Sequence, residues 1–490
     1  MTGVGVLLVL LTTLGALAAV VSFVLPGRVG QAVTVMSGVA SLGMAITLAG
    51  PTAHAPVRLG FLRADAVSCV FVIAVAFVYA CAAVYSIGYR HRHDHHGRYL
   101  RRFYLGLNAF AWSMLCAPLV DGLALLWVAI EITTVVSALL VATDRTRSSA
   151  EAAWKYVLIA SAGLGLGLLA TIVLYYAGSR VYGPSYELTL SQLVTAGHRL
   201  PVTPARFAFL LAILGYGTKV GLVPVHTWLP DAHSEAPTPI SAMLSGSLLV
   251  VSFYAVLRFV QITTPALGAR FDQNVLIVFG VASLLVAALS LLRQRDVKRL
   301  LAYSSVEHMG ILCLGVGFGA PIALAGVLLH VLAHAAAKGN AFFAAGVLLR
   351  KFGTKDIRHI RGGLDLLPWT GPLLLCAVLA LSALPPFGIF RSEFQIVAGG
   401  LGDGRTAIAA VLVVLVTLAF LGITVAFTRM LFVPARHRPE TAPLERGEPS
   451  PWMVAPMVIG LIALVVLGLH PPDALTHLLS QGVTELGGTP

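Results

Sequence analysis

The chain has 490 residues, of which 58% are hydrophobic and only 11% charged, with a mean hydropathy of +0.88. Such a composition excludes a water-soluble enzyme and points to a membrane protein. The net charge of +12 would suit nucleic acid, but the basic residues collect in the connections between apolar stretches and read as a topology signal instead.

Fourteen apolar stretches can be drawn: 4–25, 29–50, 66–88, 103–120, 122–142, 152–176, 206–229, 238–262, 273–293, 300–319, 321–349, 366–398, 405–433 and 452–470. At about 1.5 Å per residue each can cross a hydrocarbon core of about 30 Å. They predict an all-α polytopic membrane protein with no room for a globular catalytic head. The first span has no charged leader segment and no convincing small-residue cleavage site, so it is expected to stay as a membrane helix. After span three, RHRHDHHGR (residues 90–98) offers His91, His93, His95 and His96; a solvated loop is the expectation there over a metal site.

Span five carries Glu131 in WVAIEITTVV and span six carries Lys155. A charge at mid-bilayer depth costs about 2.5 to 3.5 kcal/mol, so such residues normally face the bundle interior and mark function. Gly163, Gly165 and Gly167 in span six suit close helix packing.

Lys219, in span seven, lies in LGYGTKVGLVPVHTWLPDAHSEAPTPISA, where Gly215, Gly217, Gly221 and Pro224 interrupt the helix. Backbone groups freed inside a membrane are tolerated only against protein or a water-lined cavity. A buried ammonium beside a broken helix therefore suits a hydrated ion site; the competing reading is a static interhelical salt bridge. Glu131 is the natural partner. Opening such a pair from about 4 to about 8 Å weakens it from roughly 4 to roughly 2 kcal/mol at an effective dielectric of 20, enough to load or release a proton. The bland alternative for Glu131 is a protonated carboxyl bonded to Thr133 or Thr134.

Span ten holds Glu307 and His308 in YSSVEHMG, and span eleven places His330, His334 and Lys338 in HVLAHAAAKGN. Residues at i, i+4 and i+8 line one slowly drifting helix face, which suits titratable stations linked by water. An inert hydrogen-bonded pair remains open. Metal is disfavoured, because no third ligand accompanies the two histidines in the sequence and Lys338 would repel a cation. In span twelve, LSALPPFGIFRSEFQIV sets Pro385, Pro386 and Gly388 before Arg391 and Glu393.

The interrupted spans seven and twelve lie five spans apart, an odd number, which predicts two inverted five-helix repeats with sites at their interface. The expected organisation is residues 1–102, with three spans and a cytoplasmic loop; repeats at 103–262 and 273–433; and a last span at 452–470, followed by a short polar tail. Odd-to-even connections carry twenty-one basic residues against eight on the other side, so the former are expected in the cytoplasm and both termini outside. No two of the five cysteines form a C-x-x-C pair, and no G-x-G-x-x-G or Walker A string occurs. No cofactor, no metal and no catalytic site of its own are expected; electron or nucleotide chemistry would belong to another chain.

KVGLVPVHTWLPDAHSEAPTPISA, followed by KRLLAYSSVEHMG and the His330, His334, Lys338 series, resembles the antiporter-like, proton-translocating membrane subunits of respiratory complex I and its relatives. YSSVEHMG and PPFGIFRSEF look most like the F-type membrane subunit of hydrogenase-4 and formate hydrogenlyase-type complexes. The resemblance implies a proton pathway of Glu131, Lys219, His330, His334, Lys338 and Glu393, with Glu307, His308, Arg391 and Lys155 secondary. It implies the cytoplasmic (inner) membrane, other membrane subunits of a redox-driven complex as partners, and no nucleic acid. Where some family members carry a lysine in span eight, this chain has Val250, with Ser245 and Ser247 the nearby polar groups. The competing expectation is a subunit of a multisubunit sodium/proton antiporter or an inorganic-carbon uptake complex.

Overall fold

The computed structural model describes residues 3–25, 27–89, 98–434 and 444–488. The histidine run at 91–96 lies outside the described residues. The chain opens with α1 (Gly3–Val24) and α2 (Gly27–Thr52), a hairpin of β1 (Val57–Leu59) and β2 (Leu62–Ala64), and α3 (Ala66–Gly88). The hairpin pairs Val57 with Ala64 around Gly60, whose φ of +57° suits a residue without a side chain. Next come α4 (Arg98–Cys116), α5 (Leu123–Val141), α6 (Arg147–Tyr182), α7 (Leu190–Ala196), α8 (Val202–Val220), α9 (Trp228–Glu235), α10 (Thr238–Met243) and α11 (Leu249–Leu267). The second half holds α12 (Ala269–Leu291), α13 (Val297–Phe318), α14 (Pro321–Phe352), α15 (Gly363–Leu366), α16 (Thr370–Leu381), α17 (Gly388–Gly402), α18 (Thr406–Phe432), α19 (Pro451–Leu469) and α20 (Asp473–Glu485).

Among the described residues, eleven helical stretches are long and apolar enough to cross a membrane. The helix starts follow local chemistry. Asp65 caps α3 by accepting from Ser68 N, Thr146 and Ser149 form a reciprocal capping box on α6, and Asp296 accepts from Lys298 N and Arg299 N at α13. α3, α10–α11, α13 and α14 are buried almost throughout, whereas α1, α2, α18 and α19 expose most of their apolar surface. The centre is therefore the part furthest from lipid, and it is where Glu307, His308, His330, His334 and Lys338 lie.

Two interruptions shape that centre. α8 ends at Gly221, with φ +83°, and helix resumes only at Trp228. The freed backbone finds side chains: Trp228 Nε1 donates to Thr218 O at 2.8 Å, and Val223 N donates to Ser283 Oγ at 3.0 Å. The second gap, 382–387, separates α16 from α17, and Gly468 on α19 leaves room for the Pro386 carbonyl where a Cβ would collide.

Three elements depart from the sequence expectation. The hairpin and α7 fall in stretches too short or too mixed to give a periodic signal. The tail expected to be polar and short contains α20, whose Leu478, Leu479, Gly482 and Val483 form a buried stripe. Its polar residues lower the mean hydropathy and hide the helical spacing.

Candidate functional site

Lys219 is wholly buried in the last turn of α8. Its Nζ donates to Thr134 Oγ1 of α5 at 2.7 Å and to the hydroxyl of Tyr156 on α6, and it lies 4.6 Å from the Tyr156 ring centroid. Tyr156 in turn shares a 2.8 Å hydrogen bond with Ser137 and stacks on Trp228 at 4.4 Å, where the interrupted helix resumes. Hydroxyls and a π face thus replace the water that an ammonium loses on burial. Among the described residues Lys219 makes no ion pair with Glu131. Glu131 Oε1 instead accepts from Ser161 Oγ at 2.9 Å, rather than from Thr133 or Thr134, and its buried Oε2 has no hydrogen-bond partner.

The second group lies where α13, α14 and α17 meet. His308, His330, His334 and Lys338 are fully buried, and Glu307 and Glu393 nearly so. His308 Nδ1 is 3.1 Å from His330 Nε2, His330 Nδ1 is 2.9 Å from Ser392 Oγ, and His334 Nε2 is 3.2 Å from the Ser245 carbonyl. Glu393 Oε1 lies 3.8 Å from His308 Nδ1. Lys338 Nζ donates to Leu301 O at 3.2 Å.

This network assigns the neutral tautomers. Ser392 Oγ spends its proton on Ile389 O at 2.8 Å, so it must accept from His330 Nδ1–H. His330 Nε2 is then a lone pair and accepts from His308 Nδ1–H. A carbonyl can only accept, so His334 Nε2 carries the proton facing Ser245. What remains bare is His308 Nε2 and His334 Nδ1, both buried and without a partner. The result is a directed wire, His308 to His330 to Ser392, ending beside the start of α17.

The other expected residues separate. Lys155 is at the surface, paired with Glu151 at 2.5 Å and 3.8 Å from Asp231. Arg391 lines a separate cavity of about 220 Å³ with Gln395 and Thr476. Glu307 precedes His308 on α13, its Oε2 unpartnered. Val250 is buried, Ser245 Oγ bonds Ser305 Oγ at 2.7 Å, and Ser247 Oγ has no partner. Sequence reasoning missed Tyr156, Ser161 and Ser392. Their signal was faint: a hydroxyl in an apolar span one residue from a charged side chain at Tyr156 and Ser392, and none at Ser161.

A buried charge network also meets the middle of α11. Arg258 meets Asp65 at 2.5 Å, and Asp65 meets Arg63 at 3.0 Å. Burial alone would raise the Asp65 carboxyl, but Arg258 and Arg63 hold it down at about 2. Glu485 on α20 accepts from Ala66 N at 3.2 Å and Val67 N at 3.1 Å, capping α3. Burial, with the Asp65 charge nearby, pushes Glu485 up to about 7.

Fold and site together define a polytopic helical membrane protein with ionisable side chains buried among its central helices. Residues 121–422 match the family described as NADH:quinone oxidoreductase/Mrp antiporter, TM, and the chain belongs to that family. It is 36% identical over 362 residues to the hydrogenase-4 component F homolog of Methylacidiphilum infernorum (isolate V4), covering 73% of this chain and 76% of that protein. A chain of respiratory complex I from Thermus thermophilus superposes with a TM-score of 0.77 at 26% identity, over 96% of this chain and 98% of that one. One from the Mrp complex of Dietzia sp. DQ12-45-1b gives 0.86 at 20% identity, over 99% and 98%, a likeness of fold.

Proposed function

We propose that the chain is a proton-translocating, antiporter-like subunit of a complex I-related, redox-driven complex of the hydrogenase-4 or NADH-quinone oxidoreductase type. The observation that carries this is Lys219: a wholly buried amine at a helix interruption, held by two hydroxyls and, among the described residues, with no carboxylate in contact. In this reading a neighbouring subunit moves Glu131 relative to Lys219, the lysine sheds its proton, and Lys338, His334, His308 and His330 pass it toward Ser392 and Glu393. Moving one charge against 100 mV costs about 2.3 kcal/mol, comparable with opening one buried pair, so the drive must come from outside this chain.

The spans are read as fourteen, counting α4 and treating α8–α9 and α16–α17 as the broken seventh and twelfth. The packing of α8 on α6 and of α16 on α14 supports two inverted repeats, 103–262 and 273–433. The basic connections favour the cytoplasmic membrane with both termini outside. Partners are other membrane subunits of the complex. Replacing Lys219 with Ala is expected to abolish proton pumping in proteoliposomes while the complex still assembles; near-normal pumping would overturn the reading. A sodium/proton antiporter subunit is the second reading, favoured by the Mrp members of the same family. Sodium-dependent, electron-independent proton flux would select it.

A further inference from the structure

The sequence offered two histidines for a metal; the fold supplies the third ligand. One ring nitrogen from each of His308, His330 and His334 lies within 4.8 Å of the other two, although the residues come from two helices. Zinc binds imidazole nitrogen at about 2.0–2.1 Å, which sets tetrahedral nitrogen pairs about 3.4 Å apart. His308 Nδ1 and His330 Nε2, at 3.1 Å, are near that spacing already. His334 Nδ1 is a bare, fully buried lone pair. Its opposite nitrogen is anchored on the Ser245 carbonyl, and that of His330 on Ser392, the outer hydrogen bonds that orient metal-binding imidazoles. A carboxylate is at hand in Glu393, 3.8 Å from His308 Nδ1. Glu393 also lines a cavity of about 370 Å³ with Ser382, Phe394 and Thr417.

We propose that His308, His330 and His334, with Glu393, form a site for a divalent late-transition-metal ion of the zinc class, and that its occupancy arrests proton movement. The binding half stands on the geometry alone; the arrest half rests on the function proposed above. Binding puts the metal where His308 and His330 share a proton, so the wire to Ser392 is broken at its first link. Lys338, one turn along α14, opposes a cation, while Glu393, nearly buried and 3.8 Å from His308 Nδ1, would supply a compensating carboxylate on binding. Oxygen-preferring ions such as magnesium lack the ligands they need here.

The test uses the full chain in detergent, with His91, His93, His95 and His96 changed to Ala so that the loop cannot contribute. Cobalt(II) serves as the optical probe and zinc as the competitor. The expected result is a single tetrahedral cobalt signal displaced by zinc, lost in His330→Gln, and weakened about 10- to 100-fold in Ser392→Ala, which keeps all three imidazoles. Absence of the signal, or its survival in His330→Gln, overturns the site. Proton flux in vesicles is read in parallel: the site predicts that zinc stops it, and flux unaffected by saturating zinc overturns the arrest. Flux without metal binding would sink the site and leave the relay, whereas metal binding without any flux would sink the relay and leave the site.

Discussion

Tyr156 joins three helices through one oxygen, receiving the Lys219 amine from α8 and sharing a proton with Ser137 of α5. Replacing it with Phe leaves the amine with Thr134 alone. An unsatisfied buried donor costs about 1–3 kcal/mol, so Tyr156→Phe is expected to lower the melting temperature and slow proton flux, read by thermal unfolding and vesicle acidification. Lys219, His334 and Glu393 were legible in the sequence because a charge or imidazole inside an apolar span has no bland surroundings to hide in. Tyr156 was not, because tyrosines are common in membrane helices and its bond to Lys219 spans 63 residues. The hydroxyls holding Glu131 and His330 escaped for the same reason: each pairing joins side chains from separate helices.

At the scale of elements, α6 and α8 touch through glycine. A Cβ on Gly215 would lie 2.5 Å from Gly167 N and 2.8 Å from Gly163 O, whereas one on Gly165 would meet nothing within 4 Å. Gly215→Ala must therefore push the helices apart just one turn before Lys219, at about 1–3 kcal/mol of overpacking, while Gly165→Ala is expected to be silent. Melting temperatures of the two variants separate these outcomes, and equal values would refute the packing argument. The three glycines were visible in the sequence as a packing stripe, but which one faces the neighbour depends on a helix rotation that periodicity alone does not fix. Helix boundaries were more legible: 66–88 matches α3 from end to end, because Asp65 caps one end and the apolar run defines the rest. α20 was lost for the opposite reason, its apolar residues being few and confined to one stripe.

At the scale of the whole molecule, the last helix is clamped to the third through Glu485, with Asp65, Arg63 and Arg258 around it. The Glu485 carboxyl sits above its ordinary value of 4.5, at about 7, so the docked state favours the protonated form. The stability it lends is full below the ordinary value and is lost as pH rises through about 7. Hydrogen exchange of α20 amides, corrected for intrinsic rates, is expected to accelerate between about pH 5 and about pH 8, and Glu485→Gln to remove that dependence. Arg258→Ala leaves a buried Asp65 carboxylate without its closest partner. A cost of about 3–5 kcal/mol is expected, visible in chemical denaturation of the purified chain.

Between α10 and α11, residues Leu244–Leu248 wind as a π turn, with Leu249 N bonded back to Leu244 O. That loosened coil includes Ser245, whose carbonyl anchors His334, and leads on to Arg258, which grips Asp65 further along. Each residue in a regular helix advances the azimuth by about 100°. Wound as ordinary helix, the surplus residue would swing every later side chain by that angle, throwing Arg258 out of phase with Asp65 while Ser245 stayed in place. The wider turn absorbs it, working like the offset between two cogs on a shaft and keeping the imidazole end and the guanidinium end in mesh.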